Sequence, residues 1–183
     1  MTFLIAILLT FPLQSVASGS PLYIAFPLLI LVILIGIIFD IVGMGVAVAE
    51  ESPLNAMAAK RLPGARQALR LTRNADRVSS FCNDVVGDIA GTLSGALGAT
   101  VAVHVLATMG QGAPLVRTVT NTVLLALVAA GTVGGKALGK TYALTHAVDV
   151  TLRAGLVLSW LEYALHREFL GGTQRRKRGE DGR

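Results

Sequence analysis

The chain has 183 residues, 53% of them hydrophobic and 15% charged, with a net charge of +5. A soluble domain carries about 25% charged residues, so this composition argues against an ordinary soluble fold and leaves room for one membrane domain. The positive balance does not point to nucleic acid. Aromatic residues make up only 5%, and no basic–aromatic interleaving offers a surface for stacking bases.

Residues 3–18, FLIAILLTFPLQSVAS, are apolar for about a dozen positions. They predict a short or tilted hydrophobic helix within residues 1–20. A cleaved signal is the alternative: SVASGS offers small residues for cleavage, but a basic leading region is lacking. Residues 22–49 form the strongest span, with Pro27 in the first turns, where proline is tolerated, and Glu50 and Glu51 at its end. Residues 52–76 interleave Leu and Ala with arginine. They predict short interfacial helices broken at Pro63-Gly64.

A second span is predicted over residues 78–109. Gly87, Gly91 and Gly95 recur every four residues, a spacing that lets helices approach closely. Ser80, Asp84, Asp88 and Thr92 recur at the same interval on an adjacent face. Cys82 is expected to be a small packing residue. Residues 110–117 read as a turn, and residues 118–140 as a third span. Gly131, Gly134 and Gly135 either unwind the second half of that span, freeing carbonyls toward a cavity, or serve close packing. Residues 148–169 are amphipathic, with Leu152, Leu156, Trp160 and Tyr163 at helical spacing. They predict a C-terminal interfacial helix, followed by a disordered basic cytoplasmic tail over residues 171–183.

The expected fold is therefore all-α. It is a polytopic membrane protein with three core transmembrane helices, a short N-terminal hydrophobic helix and a C-terminal interfacial helix. Residues 21–170 form its transmembrane domain. The basic residues fall in two blocks. Lys60, Arg61, Arg66, Arg70, Arg73 and Arg77 form one, and Arg175, Arg176, Lys177, Arg178 and Arg183 the other. The positive-inside rule then puts loop 50–77 and the C-terminus on the cytoplasmic side of a multi-pass cell-membrane protein.

Acids inside apolar segments narrow the chemistry, because a carboxylate at membrane depth needs a cavity, a partner or an ion. Counted from Glu50, Arg77 and Lys140, the residues Asp40, Asp88 and Gly131 lie about 15, 16 and 14 Å into the membrane at 1.5 Å per residue. Asp84 lies one turn from Asp88. The expected site gathers Asp40, Asn83, Asp84, Asp88 and the Gly131 carbonyl at mid-membrane. Hard oxygen ligands of this kind suit Mg²⁺, Ca²⁺ or Mn²⁺. His104, His146 and His166 are far apart, and each is expected to be solvated or interfacial. No nucleophile elbow, P-loop or zinc motif appears, so no enzyme is expected. Lys136 either pairs with an acid or snorkels to the membrane edge, and snorkelling is the expectation.

Several of these segments resemble the transmembrane domain of the CorB/CorC/cyclin-M magnesium transporters. In that family a first span with a small-residue and acid pattern leads into an arginine-rich cytoplasmic stretch. FDIVGMGVAVA and AAKRLPGARQALRLTRNADR follow that order here. The family's second span carries two asparagines four residues apart, and NDVVGD places Asp84 and Asp88 at that interval. Its FGEILPK segment aligns without gaps with AGTVGGK, residues 130–136. Thr132 stands where the family has glutamate, and Gly135 where it has proline. The resemblance covers roughly residues 22–165, and the family's cytoplasmic regulatory domains have no counterpart in it.

The resemblance implies Mg²⁺ at Asp40, Asp84, Asp88 and Gly131, and a homodimer, for which the Gly87/Gly91/Gly95 face is a candidate contact. The expected function is binding or transport of a divalent cation, Mg²⁺ foremost, with Na⁺ as the alternative ion. The lipid bilayer, the cation and a second copy are the expected partners, without nucleic acid. Two alternatives stand beside it. One is a non-transporting scaffold or regulatory subunit whose acids are paired or protonated. The other is a proton- or sodium-coupled carrier.

Overall fold

The computed structural model describes residues 21–108 and 113–165, together with Leu4, Ile7, Leu8, Thr10, Phe11, Pro12 and Ser15. The expected N-terminal helix lies outside the described residues apart from those seven, and the tail 171–183 lies wholly outside them. Among the described residues every element is helical, and three helices are long and apolar enough to cross a membrane.

The first of these, α1, spans Leu22–Val48. It ends where Ala49 and Glu50 turn extended, and the amphipathic helices α2 (Glu51–Ala59) and α3 (Ala65–Arg73) follow. The break between α2 and α3 falls at the predicted Pro63-Gly64. Arg61 (φ 56°) and Gly64 (φ 76°) both take left-handed backbone there. Glycine bears that conformation without steric cost, whereas arginine does not. Asn74 breaks the helix again, its side chain donating to the Arg70 carbonyl at 2.9 Å.

From Ala75 the chain runs as one rod to Thr108. It comprises α4 (Ala75–Ser80), a π-helical stretch Phe81–Gly87 and α5 (Asp88–Thr108). The second span thus begins three residues before its predicted start at Val78. The third, α6, covers Pro114–Thr145. Proline at its first position suits a helix start, where its missing N–H costs nothing. Residues 114–117 of the predicted turn therefore belong to the helix, and residues 110–112 lie outside the described residues. Of the two alternatives for Gly131, Gly134 and Gly135, unwinding does not hold, because α6 is continuous through them. In an apolar medium a helix satisfies its backbone groups internally, and breaking it would leave them bare. The backbone irregularity lies instead in the second span, at Phe81–Gly87. The last helix, α7 (Ala147–Leu165), begins after His146.

The helices form two zones. In the first, α1 packs against α5 and α6. Ala25, Leu29 and Val32 meet Ala90, Leu93, Leu97 and Val101, with Val128 of α6 alongside. Small residues bring the helices close. A Cβ on Gly36 would lie 2.9 Å from that of Ala90, and one on Gly98 3.0 Å from Val128 Cγ1. In the second zone α7 packs against α1, and α3 packs on both α7 and α2. Leu54, Ala65 and Ala68 are fully buried there. Two ion pairs hold this collar, Arg70–Glu162 at 3.7 Å and Arg73–Glu51 at 3.4 Å. Gln67 donates to the second oxygen of Glu162 at 3.3 Å.

Candidate functional site

Asp40 lies on α1 at the junction of the two zones and is 2% exposed. Its Oδ2 faces two ammonium groups of α6, Lys136 Nζ at 3.6 Å and Lys140 Nζ at 3.8 Å. The two lysines are four residues apart, so both project from one face of α6. Lys136 also donates to the Gly87 carbonyl at 2.9 Å. Gly87 closes the π-helical stretch, where the wider turn loosens the regular i→i−4 ladder. One acid, two cations and one carbonyl thus tie α1, the second span and α6 at a single level.

Two glycines make the room. A Cβ on Gly87 would lie 2.6 Å from Asp40 Oδ1 and 3.4 Å from Lys136 Nζ. A Cβ on Gly36 would lie 3.9 Å from Lys136 Cε, so the lysine stem runs past it. The expectation that Lys136 snorkels is corrected by this geometry, since its ammonium turns inward to Asp40 and Gly87. Lys140 is more open, with 43% of its side chain exposed. The cluster carries one positive charge in excess, two lysines against one carboxylate.

The remaining sequence candidates are not gathered around Asp40. Asp84 and Asp88 are exposed, as are Ser80 and Thr92. The predicted polar stripe therefore exists, but it faces out of the bundle. Asn83 is half-buried, and its Oδ1 has no hydrogen-bond partner. That oxygen points at α1 below Asp40, 2.5 Å from where a Cβ on Gly43 would lie. Gly131 is exposed, with no atom within 4 Å of a would-be Cβ. Its carbonyl belongs to an unbroken helix rather than a cavity. Among the described residues no group of three His, Cys, Asp or Glu side chains is placed to hold a metal.

The predicted glycine stripe divides in the same way. Gly87 is buried against Asp40, whereas Gly91 and Gly95 have nothing within 4 Å. Ordinary helix geometry is the physical reason. At 3.6 residues per turn each four-residue step turns the row by a further ~40°, so it drifts away from Asp40 within two steps.

The level of the cluster follows from the charge-free lengths beside it. Residues 22–39 and 118–135 each give 18 positions without a formal charge, and 89–108 give 20. At 1.5 Å per residue these are about 27–30 Å, the thickness of a hydrocarbon core. The Asp40 cluster lies at one end of these charge-free lengths rather than at their middle. Between their ends, Ser94 and Thr132 are buried and their hydroxyls lie 3.5 Å apart, linking α5 to α6.

Sequence reading missed the joint role of Lys136 and Lys140. Their four-residue spacing on an otherwise apolar helix, with one acid on α1, was the signal. Comparison with protein families, curated proteins and solved structures found no match to this chain.

Proposed function

We propose that this chain is a non-transporting integral membrane protein, a scaffold or regulatory subunit built on a three-span bundle. The Asp40 cluster carries this reading. Its only acid is already matched by two lysines, and the excess positive charge repels a cation rather than attracting one. An internal ion pair of this kind fixes which helix faces meet, a registry role attested for buried polar groups elsewhere. The basic loop 50–77 supports a cytoplasmic location for the collar and for the Asp40 level. Proteoliposomes loaded with a Mg²⁺-sensitive dye test the reading, with parallel arms for Na⁺ and for a pH gradient. The expected flux in each arm equals that of protein-free liposomes. A flux that Asp40→Asn abolishes would overturn the proposal.

One observation favours a second reading, a divalent-cation protein that works as a homodimer. Asp84 and Asp88 share an outward face beside the open Gly91 and Gly95. Two copies meeting there would present four carboxylates to one Mg²⁺, with oxygen ligands of the kind that ion takes. The same liposome assay separates the readings, because this one requires a flux or a Mg²⁺-dependent dimer that Asp84→Asn and Asp88→Asn remove.

A further inference from the structure

We infer that the cleft between the α2–α3 turn and α7 is a binding site for a phosphate group, and that its ligand is the headgroup of an anionic phospholipid. The cleft encloses about 410 Å³ and is lined by Arg61, Gly64, Arg66, Gln67 and Ser159, among others. That is within the usual size of a small-molecule site.

Its charge is not spent inside the protein. Farther along α3, Arg70 pairs with Glu162 and Arg73 with Glu51. Arg61 and Arg66 are exposed and have no acid within 4 Å among the described residues. Glu162, which accepts from the Gln67 amide, is paired with Arg70, so the two guanidinium groups on the cleft have no carboxylate of their own and suit the planar bidentate recognition of a phosphate.

The backbone adds donors of the same sign. Gly64 caps α3 without a side-chain hydrogen bond. The Ala65 amide bonds to the Leu62 carbonyl at 3.2 Å, whereas those of Arg66 and Gln67 have no backbone acceptor. Free amides at a helix start attract an anion. The Ser159 hydroxyl is committed to the Leu156 carbonyl at 2.8 Å as donor, which leaves its oxygen as an acceptor for a lipid hydroxyl.

The cleft is also held in shape. A Cβ on Gly64 would lie 2.7 Å from the Leu156 backbone nitrogen, and one on Gly155 2.6 Å from that of Ala68. The turn and α7 are therefore in backbone contact, and the two arginines hang from a fixed frame.

An independent feature identifies the source of the phosphate. On α7, immediately beyond Ser159, Trp160 is 68% and Tyr163 81% exposed. Amphipathic aromatics of this kind settle at the headgroup level. They set the cleft at the plane where lipid phosphates lie.

Trp160 is the only tryptophan in the chain, so the protein carries its own probe. The full chain is placed in bilayers containing either brominated phosphatidylglycerol or brominated phosphatidylcholine, and quenching of Trp160 is measured. Both lipids should quench, as the membrane reading requires, and phosphatidylglycerol should do so preferentially. About fivefold per arginine is the bias expected from basic residues at an anionic surface. The variant R61Q/R66Q should lose the bias while R77Q keeps it, with circular dichroism confirming the helices. A parallel arm adds inorganic phosphate to protein in detergent. A stabilisation that R61Q/R66Q abolishes, without any lipid bias, keeps the phosphate site but assigns it a soluble ligand. Equal quenching by both lipids with no phosphate effect overturns this inference alone. Absence of quenching by either lipid overturns the membrane reading with it.

Discussion

Removing the carboxylate of Asp40 isolates the contribution of the ion cluster. Asp40→Asn keeps the volume but leaves two ammonium groups facing a neutral amide. Truncating one partner of a buried pair costs about 3–5 kcal/mol. Here Lys140, with 43% of its side chain exposed, can turn to water, and the loss falls on Lys136, which is 20% exposed. Lys136 keeps the Gly87 carbonyl at 2.9 Å, so the lower end applies, about 3 kcal/mol. For a chain of this size that lowers the melting temperature by about 6–12 °C. The cleaner measurement is a double-mutant cycle with Lys136→Met, read by detergent-based unfolding followed by circular dichroism. A coupling of about 1–3 kcal/mol is expected for groups in direct contact. Asp84→Asn, at an exposed position on another face, should add to Asp40→Asn within about 0.5 kcal/mol. Additivity of Asp40→Asn with Lys136→Met, or strong coupling of Asp40 to Asp84, would refute the geometry described above.

Two substitutions at glycine probe the same helix with opposite expected signs. Gly87→Ala puts a methyl against Asp40 Oδ1 and should destabilise by about 1–3 kcal/mol as an overpacking change. Gly91→Ala enters open space and should stabilise by up to about 1 kcal/mol through helix propensity; equal melting of the two variants would contradict the assigned faces. Gly155→Ala drives a methyl into the Gly64 carbonyl and Ala68 amide, which are backbone atoms that cannot rotate away. It should prise α3 from α7 at a cost of about 3 kcal/mol and speed tryptic cleavage at Arg61 and Arg66. A digestion pattern like that of the unaltered chain would count against the collar.

The three long helices were legible because charge-free apolar length is a direct demand of the bilayer. Their ends moved by only a few residues, to Ala75 on one span and to Pro114 and Thr145 on another. The collar was legible for a similar reason, since arginine alternating with Leu and Ala gives an amphipathic period, and Pro63-Gly64 marks its turn. What the residues did not disclose was which way each face points. Asp84 and Asp88 share a face, as their spacing says, but no spacing tells whether that face meets protein or lipid. Gly87, beside them in the chain, turns inward to Asp40, and FCNDVVG carries no marker for the π-helical stretch that holds Asp84. The partner of Asp40 was visible as an option. Charge at the end of a span reads as topology by default, so Lys136 and Lys140 were assigned to the membrane edge rather than to an acid 96 positions earlier, 136 minus 40.

That interval has a consequence during synthesis. Chains emerge at about 5–20 residues per second, so α1 stands ready for about 5–20 s before Lys136 exists. Through that interval Asp40 has neither of the lysines that face it in the folded chain. The arrival of α6 ends the exposure, and the two lysines, each costly to insert alone, enter beside an acid already waiting for them. Each end of the chain therefore eases the other's entry into the bilayer, and a ribosome that stops short of residue 136 leaves an unmatched acid behind.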